Sequence, residues 1–469
     1  MRKLHCAAVL FCIPLCSQTP TIAQTSPKVD SFVADYMKKN HVPGLSLAVV
    51  KEGKIVMAKG YGLANVETMH RASAESVYQL ASVTKQFTAT LTMMMVEEKK
   101  IGLDTKITQY LPDLPKAWGE VTVRQLLNHT SGIFSYTSLP DFFQNGNSRR
   151  ELNIKRIIEM VGEKPLDFAP GTDWRYNNTG YYLLGGILEK VSGKAYGDLL
   201  AERIFKPLGM QNTRLNDMKT IVPNRVMGYA WNGKILHNGE YVSPSQPYSA
   251  GAMLSTILDM AKWDAALYGE KLLSKKSLQE MWTSTPLPTK QPFGYGFGWM
   301  LSTKNKHRVI EHGGGIDGFS THIARFVDDK LTVIALLNQE SGGAERVSMK
   351  VAEIILPALA PVPLKAMQDP DSALTKRLRE VATEATQGRV NSDEFEPETA
   401  KQIVPAIQSG KQTFEAFGAM QSFVLVDRKE ANGNLQLKYR VKFANFMAAM
   451  VFALNKDRKI IGMRFMPEE

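Results

Sequence analysis

A serine three residues before a lysine can pair a nucleophile with its base, and the sequence holds one S-x-x-K, Ser82-Val83-Thr84-Lys85. Behind it Phe87, Leu91, Met94 and Met95 recur at helical spacing, and Lys99-Lys100 followed by Gly102 makes a C-terminal stop. The spacing predicts a helix with Ser82 in its first turn and Lys85 on the same face. There the hydroxyl sits near free backbone N–H groups and the positive end of the helix dipole. A lysine stripped of its proton by burial could then take the serine's proton and leave a nucleophilic oxygen. The plain alternative is four ordinary helix-start residues, a pattern that arises by chance about once or twice in a chain this long.

The elements needed to position this pair can be read along the chain. Val29 to Met37 is an amphipathic helix. Leu45–Val50 and Lys54–Gly62 are β-rich runs joined by Lys51-Glu52-Gly53, a hairpin signal. Leu103 to about Gly269 reads as mainly helical, and strand character returns from Gly294 to Leu337, with a turn at Asp328-Asp329-Lys330. Strands at both ends with helices between predict an α+β fold: one sheet closed by N- and C-terminal portions, with an inserted helical lobe and the site at the seam. Pro357 to Pro363 reads as a linker. Beyond it, helices over 373–385 and 397–407, an Asn432-Gly433 turn, and strands over 435–443, 446–454 and 460–465 predict a separate small α+β domain. The organisation expected is therefore a leader over 1–23, a catalytic domain over 24–360 and an accessory domain over 364–469. The last segment holds no histidine, no cysteine and no catalytic set, which favours a docking or assembly role with a partner the sequence leaves unnamed.

Two further segments complete a constellation: Tyr176-Asn177-Asn178 and His312-Gly313-Gly314-Gly315. With Ser82-x-x-Lys85 they stand in the order and rough spacing of the penicillin-recognising serine hydrolases, and the chain resembles the branch of class C β-lactamases, D,D-peptidases and esterases. Supporting segments are similar too: His41-Val42-Pro43-Gly44, Leu127 to Gly132, Ser249 to Thr256, and Gly294 to Trp299. The resemblance spans about residues 28–355. It implies the β-lactamase/transpeptidase-like fold, attack by Ser82 to give an acyl-enzyme, and proton transfer shared by Lys85 and Tyr176. It further implies that Asn178 holds this network and touches the acyl group, that His312 and Gly314 line the substrate side, and that the amides of Ser82 and Gly315 form the oxyanion hole. Which of Lys85 and Tyr176 is the base stays open, because both ordinarily hold their proton at neutral pH and coupled groups titrate together. Each segment also has a plain reading: Tyr176 as a packed aromatic, His312-Gly313-Gly314 as a glycine turn, and His129 as a loop-holding residue.

Where β-lactamases carry K-T-G, this sequence has His312 and Gly313. A histidine is only partly charged near neutrality and glycine offers no hydroxyl, which counts against tight recognition of a β-lactam or D-Ala-D-Ala carboxylate. The expected activity is hydrolysis of a small ester, amide or peptide through an acyl-serine. A β-lactamase or D,D-carboxypeptidase is the first alternative and a non-catalytic scaffold the second. No cofactor is expected, and the histidines show no metal-ligand spacing.

Composition sets the surroundings. The chain has 469 residues, 44% hydrophobic and 22% charged, as expected of a globular protein with two or three units. A formal charge of +11 without a long basic run or nucleic-acid motif argues for a mildly basic, solvated surface rather than nucleic-acid binding. Arg2-Lys3, the apolar run from Cys6 to Cys16 and Thr21-Ile22-Ala23 read as an export leader too short to span a bilayer. No other stretch approaches a membrane span. Cys6, Cys12 and Cys16 all lie inside the leader, so a thiol-free mature protein, periplasmic or extracellular, is expected.

Overall fold

The computed structural model describes residues 26–142, 147–288, 293–360, 365–410, 417–431, 433–444 and 447–467. The leader reading therefore lies outside the described residues. The chain forms two compact units, 1–360 and 361–469.

The first unit is built on a seven-stranded antiparallel sheet: β1 (Gly44–Lys51), β2 (Lys54–Asn65), β3 (His70–Arg71), β4 (Met300–Lys304), β5 (His307–Ile316), β6 (Phe319–Phe326) and β7 (Leu331–Leu337), in the order β3-β2-β1-β7-β6-β5-β4. Leu45 pairs with Leu337 and Lys51 with Leu331, so strands from the two ends of the unit meet at the centre, as the sequence pattern predicts. β1 and β7 are almost wholly buried, which is why they read as near-continuous apolar runs. Leu45, Leu47 and Val49 face a core shared with helices α1 (Pro27–Lys39) and α5 (Ala344–Ile355), while Ala48 and Val50 face the larger core under the helical lobe. The lobe holds α2 (Thr84–Glu97), α3 (Asn178–Ser192) and α4 (Ile257–Ala266). Between them lie shorter helices, irregular loops and short strands at 214–215, 229–231, 236–238 and 253–255, so 103–269 is less helical than its composition suggests.

α2 departs from its expected amphipathic form, since every residue from Thr84 to Met95 is buried. Several of its polar side chains find partners inside, although Thr90 Oγ1 and Gln86 Nε2 complete no hydrogen bond among the described residues. The Thr88 hydroxyl donates to Ser249 O at 2.6 Å, Thr92 donates to Thr88 O at 2.9 Å, and Gln86 Oε1 accepts from the Trp263 indole at 2.9 Å. A buried helix of this kind is a rigid mount for the residue that precedes it.

A second polar cluster lies behind β5. Ser302 donates to Glu311 Oε1 at 2.7 Å, and Glu311 Oε2 faces His322 Nε2 at 3.5 Å. The Ser348 hydroxyl donates to Glu345 O, so it accepts from His322 Nδ1, leaving a lone pair on Nε2 toward the carboxyl. Burial pushes Glu311 up to about 7 and His322 down to about 3. Between the ordinary carboxyl value near 4.5 and about 7, the folded state keeps a proton that the unfolded chain has released. The Glu311 contribution to stability should therefore fall as pH rises through that window, with the full cost above it, while His322, held neutral by burial, contributes in the opposite sense up to its ordinary value near 6.5. Glu311→Gln keeps the bond from Ser302 and can donate to His322 Nε2. It is expected to raise the melting temperature at about pH 8 and to leave it nearly unchanged near pH 4.5. Equal shifts at both pH values would contradict this reading.

The second unit carries two helices, α6 (Ser372–Thr386) and α7 (Pro397–Ser409), and the antiparallel sheet β8 (Met420–Ala431), β9 (Asn434–Phe443), β10 (Met447–Leu454) and β11 (Ile460–Pro467). Strand β8, absent from the sequence reading, pairs along β9, with a register shift near Leu425–Asp427 that breaks its alternation. Among the described residues no helix is long and apolar enough to cross a membrane.

Candidate active site

Ser82 sits in a 3-10 turn, Ala81–Val83, that runs directly into α2. Ala81 has φ +48°, a left-handed conformation costing an alanine on the order of 1–2 kcal/mol. Surrounding contacts hold it there. Leu80 N donates to Met253 O at 2.8 Å, Leu80 O accepts from the Thr321 hydroxyl at 2.8 Å, and Thr84 Oγ1 accepts from Met253 N at 3.2 Å. Gly314 lets β5 press against this turn: a Cβ there would lie 2.2 Å from Leu80 O and 2.4 Å from Thr321 Oγ1. The serine is thus clamped between the main sheet and the 253–255 strand.

Lys85 is fully buried, with its Nζ 3.2 Å from Ser82 Oγ, 2.8 Å from Asn178 Oδ1 and 2.8 Å from Ala250 O. Burial alone drives its amine far below the ordinary lysine range. The same geometry suits the neutral amine once the proton is lost. The two carbonyl oxygens can only accept, so they use two N–H donors, all that a neutral amine has, and its lone pair is left for the Ser82 proton. Asn178 is fixed for this task by a bond from its Nδ2 to Thr137 Oγ1 at 3.0 Å and one from its backbone N–H to Ser135 Oγ at 3.2 Å. Its neighbour Asn177 caps α3, accepting from Gly180 N at 2.7 Å.

Tyr176 lies just before that cap, its ring 4.8 Å from Lys85 Nζ. Burial raises its phenol well above the ordinary value, opposed by the neighbouring Ser82 hydroxyl. The buried phenol oxygen completes no hydrogen bond among the described residues. The amine and the phenol are therefore pushed in opposite directions: Lys85 toward giving up its proton, Tyr176 toward keeping it.

His312 is also buried, but it points away from solvent chemistry. Its Nδ1 lies 2.6 Å from Gly313 O, which makes Nδ1 the protonated nitrogen, and Nε2 accepts from the Tyr295 hydroxyl at 2.9 Å. Burial, with the Lys85 charge second, lowers it to about 3, so it is a neutral ring at physiological pH. His129 is likewise buried and depressed, its Nδ1 accepting from Asn177 N at 3.1 Å.

A cavity of about 410 Å³ opens on Ser82, with Asn178 and Gly315 in its wall beside Tyr136, Phe142 and Ile316. Among the residues expected from sequence, Ser82, Asn178 and Gly315 line this cavity. Lys85 and Tyr176 stand behind Ser82, and His312 and Gly314 form the support beneath. The sequence reading missed four contributors. The Ala250 carbonyl lies in a segment that could be matched but whose role no side chain announces. Tyr295 fixes His312 from within the aromatic 294–299 run. Asp317 and Glu340 also line the cavity. Among the described residues no three His, Cys, Asp or Glu side chains gather as a metal site.

The profile of the Beta-lactamase family matches residues 29–355. Penicillin-binding protein 4* of Bacillus subtilis (strain 168) is 34% identical over 337 residues, 68% of this chain and 73% of that protein. The D-amino acid amidase from Ochrobactrum anthropi SV3, solved with L-phenylalanine, superposes with a TM-score of 0.62 at 26% identity, covering 71% of this chain and 99% of that one. The octameric penicillin-binding protein homologue from Pyrococcus abyssi, at 23% identity, shares the fold over 93% of this chain and 99% of its own, with a TM-score of 0.64.

Proposed function

Since the chain belongs to the β-lactamase family of serine hydrolases, we propose that it hydrolyses small esters or amides, D-amino-acid amides and peptides among them, through an acyl intermediate on Ser82. The observation that carries this reading is the placement of Lys85 Nζ between two carbonyl acceptors and Ser82 Oγ. The lysine lone pair removes the Ser82 proton as Oγ attacks the substrate carbonyl, breaking its C=O π bond and placing charge on oxygen. The amides of Ser82 and Gly315, both at the cavity wall, stabilise that oxyanion. Tyr176, kept protonated by burial, protonates the departing nitrogen or oxygen as its bond to carbon breaks, and the Lys85 ammonium returns a proton to the phenolate. Water then repeats the sequence on the acyl-serine and releases the acid.

The likeness to the D-amino acid amidase supports D-amino-acid amide substrates. The neutral, inward-bonded His312, standing where a β-lactamase lysine would meet a carboxylate, supports placing β-lactams second. The leader-like segment Arg2 to Ala23 supports export to the periplasm or beyond.

A panel of p-nitrophenyl esters, D- and L-amino-acid p-nitroanilides and nitrocefin tests the assignment. Turnover of esters or D-anilides well above nitrocefin is expected. Nitrocefin as the preferred substrate would reverse this order and contradict it, and inertness toward the whole panel would contradict hydrolysis itself.

A further inference from the structure

The second unit takes no part in the reaction, and one face of its sheet is left open. Helices α6 and α7 pack on the face that carries Leu437, Tyr439 and Phe452. Side chains alternate along a strand, so Lys438, Arg440 and Lys442 of β9 all project from the other face. β10 sets Val451, Ala449 and Met447 opposite them, and β11 adds Arg464 beside Val451 and Met466 beside Ala449. Gly462 lies opposite Ala453, and these two small residues leave a hollow of about 340 Å³, lined also by Val451, Ile461 and Arg464.

Charge is spread unevenly around this unit. At the helices and their ends, cations meet acids: Arg377 pairs with Glu394, Lys401 with Glu398 and Arg458 with Asp371. On the open face Asp427 is taken by Lys429. Lys438, Lys442 and Arg464 have no ion-pair partner among the described residues. Alternate residues of a strand stand about 6.8 Å apart, so β9 offers a row of cations at a regular interval rather than a single spot. The complement of such a row is an anion that repeats its charge along a chain.

We infer that this face docks a linear polyol-phosphate chain, an anionic polymer of the kind a cell envelope displays. Its phosphates meet the lysine and arginine heads, and its carbon linkers rest on Val451 and Ala453 in the hollow. A chain can enter that hollow, whereas a flat anionic bilayer cannot. Single-stranded nucleic acid needs aromatic platforms for its bases, and the rings of this sheet, Phe423, Tyr439, Phe452 and Phe465, belong to the core on the other face. A second copy of the same face would bring cations against cations. The inference rests on the export reading of Arg2 to Ala23 for where such a polymer is met, and on no step of the hydrolase reading.

The test is fluorescence anisotropy of a tagged glycerol-phosphate oligomer titrated with the full chain. Saturable binding is expected, weakening about tenfold or more between about 50 and 200 mM salt as counterions compete. Combining Lys438→Gln, Lys442→Gln and Arg464→Gln should weaken it about tenfold or more at the lower salt. The equal charge loss of Lys376→Gln, Arg379→Gln and Arg389→Gln, at exposed cations on and just beyond α6, should change it by less than about twofold. Circular dichroism checks that both variants fold. No saturable binding, equal losses in the two variants, or tighter binding of an oligothymidylate of equal charge or of anionic lipid vesicles would each overturn the proposal. Binding is read without turnover, so its failure leaves the hydrolase reading standing, and loss of that reading leaves the docking face.

Discussion

Ser82→Ala is expected to lower turnover of a p-nitrophenyl ester by about 10⁴-fold or more while the protein stays folded. Loss of the nucleophile in serine hydrolases removes nearly all the catalysis beyond that supplied by binding and the oxyanion site. The fold should tolerate the change because Ser82 is partly exposed at the cavity wall, while the neighbours that clamp its turn, Leu80, Thr84, Met253 and Thr321, are untouched. Alanine also suits the 3-10 turn and the start of α2. Stopped-flow or steady-state absorbance measures the rate, and circular dichroism the fold. A variant that keeps a tenth of wild-type turnover would remove Ser82 from the reaction.

Lys85→Ala is expected to slow acylation by about 10³-fold, in the range for losing a positioned proton-transfer group. Here the pH profile is more telling than the magnitude. In the proposed mechanism Lys85 is the base, a role open to it only when neutral, and burial sets its amine well below the ordinary 10.5. Acylation should therefore be lost as pH falls through the depressed lysine value and restored above it, so the acid limb of kcat/KM lies far below that of a solvent-exposed lysine. In Lys85→Ala that limb should vanish along with most of the rate. A variant that keeps the acid limb would assign it to another group. Histidine is a poor candidate, since His312 is lowered to about 3 and bonded at both nitrogens.

The sequence carried some of this structure openly and hid the rest for identifiable reasons. Ser82 and Lys85 are three residues apart in one local element, so helical periodicity alone placed them together. The β1–β2 hairpin was legible because Glu52 and Gly53 mark a turn in which both have positive φ, at +52° and +75°. The role of Asn178 became specific only once α3 was docked, because its amide is aimed by Ser135 and Thr137, more than forty residues earlier. His312 illustrates the opposite problem. Its position in the motif suggested the substrate side, whereas its bonds to Tyr295 and to the Gly313 carbonyl turn it into a neutral buttress, a fact set by tertiary burial. Ala250 acts through a backbone carbonyl and leaves no chemical trace in the sequence. Asp317 and Glu340 are ordinary surface-type residues until the β5–β7 register lays one against the other. Strand β8 was missed because the register shift near Leu425–Asp427 interrupts the period-two signal by which strands are read.

The most direct test of acyl transfer through Ser82 is peptide-level mass spectrometry of the protein after exposure to a fluorophosphonate and, separately, after rapid quenching with a D-phenylalanine ester. One covalent adduct is expected in each case, on Ser82, with the phosphonyl group permanent and the acyl group decaying as product forms. An unmodified Ser82 under conditions of measurable turnover, or an adduct on another residue, would contradict the mechanism.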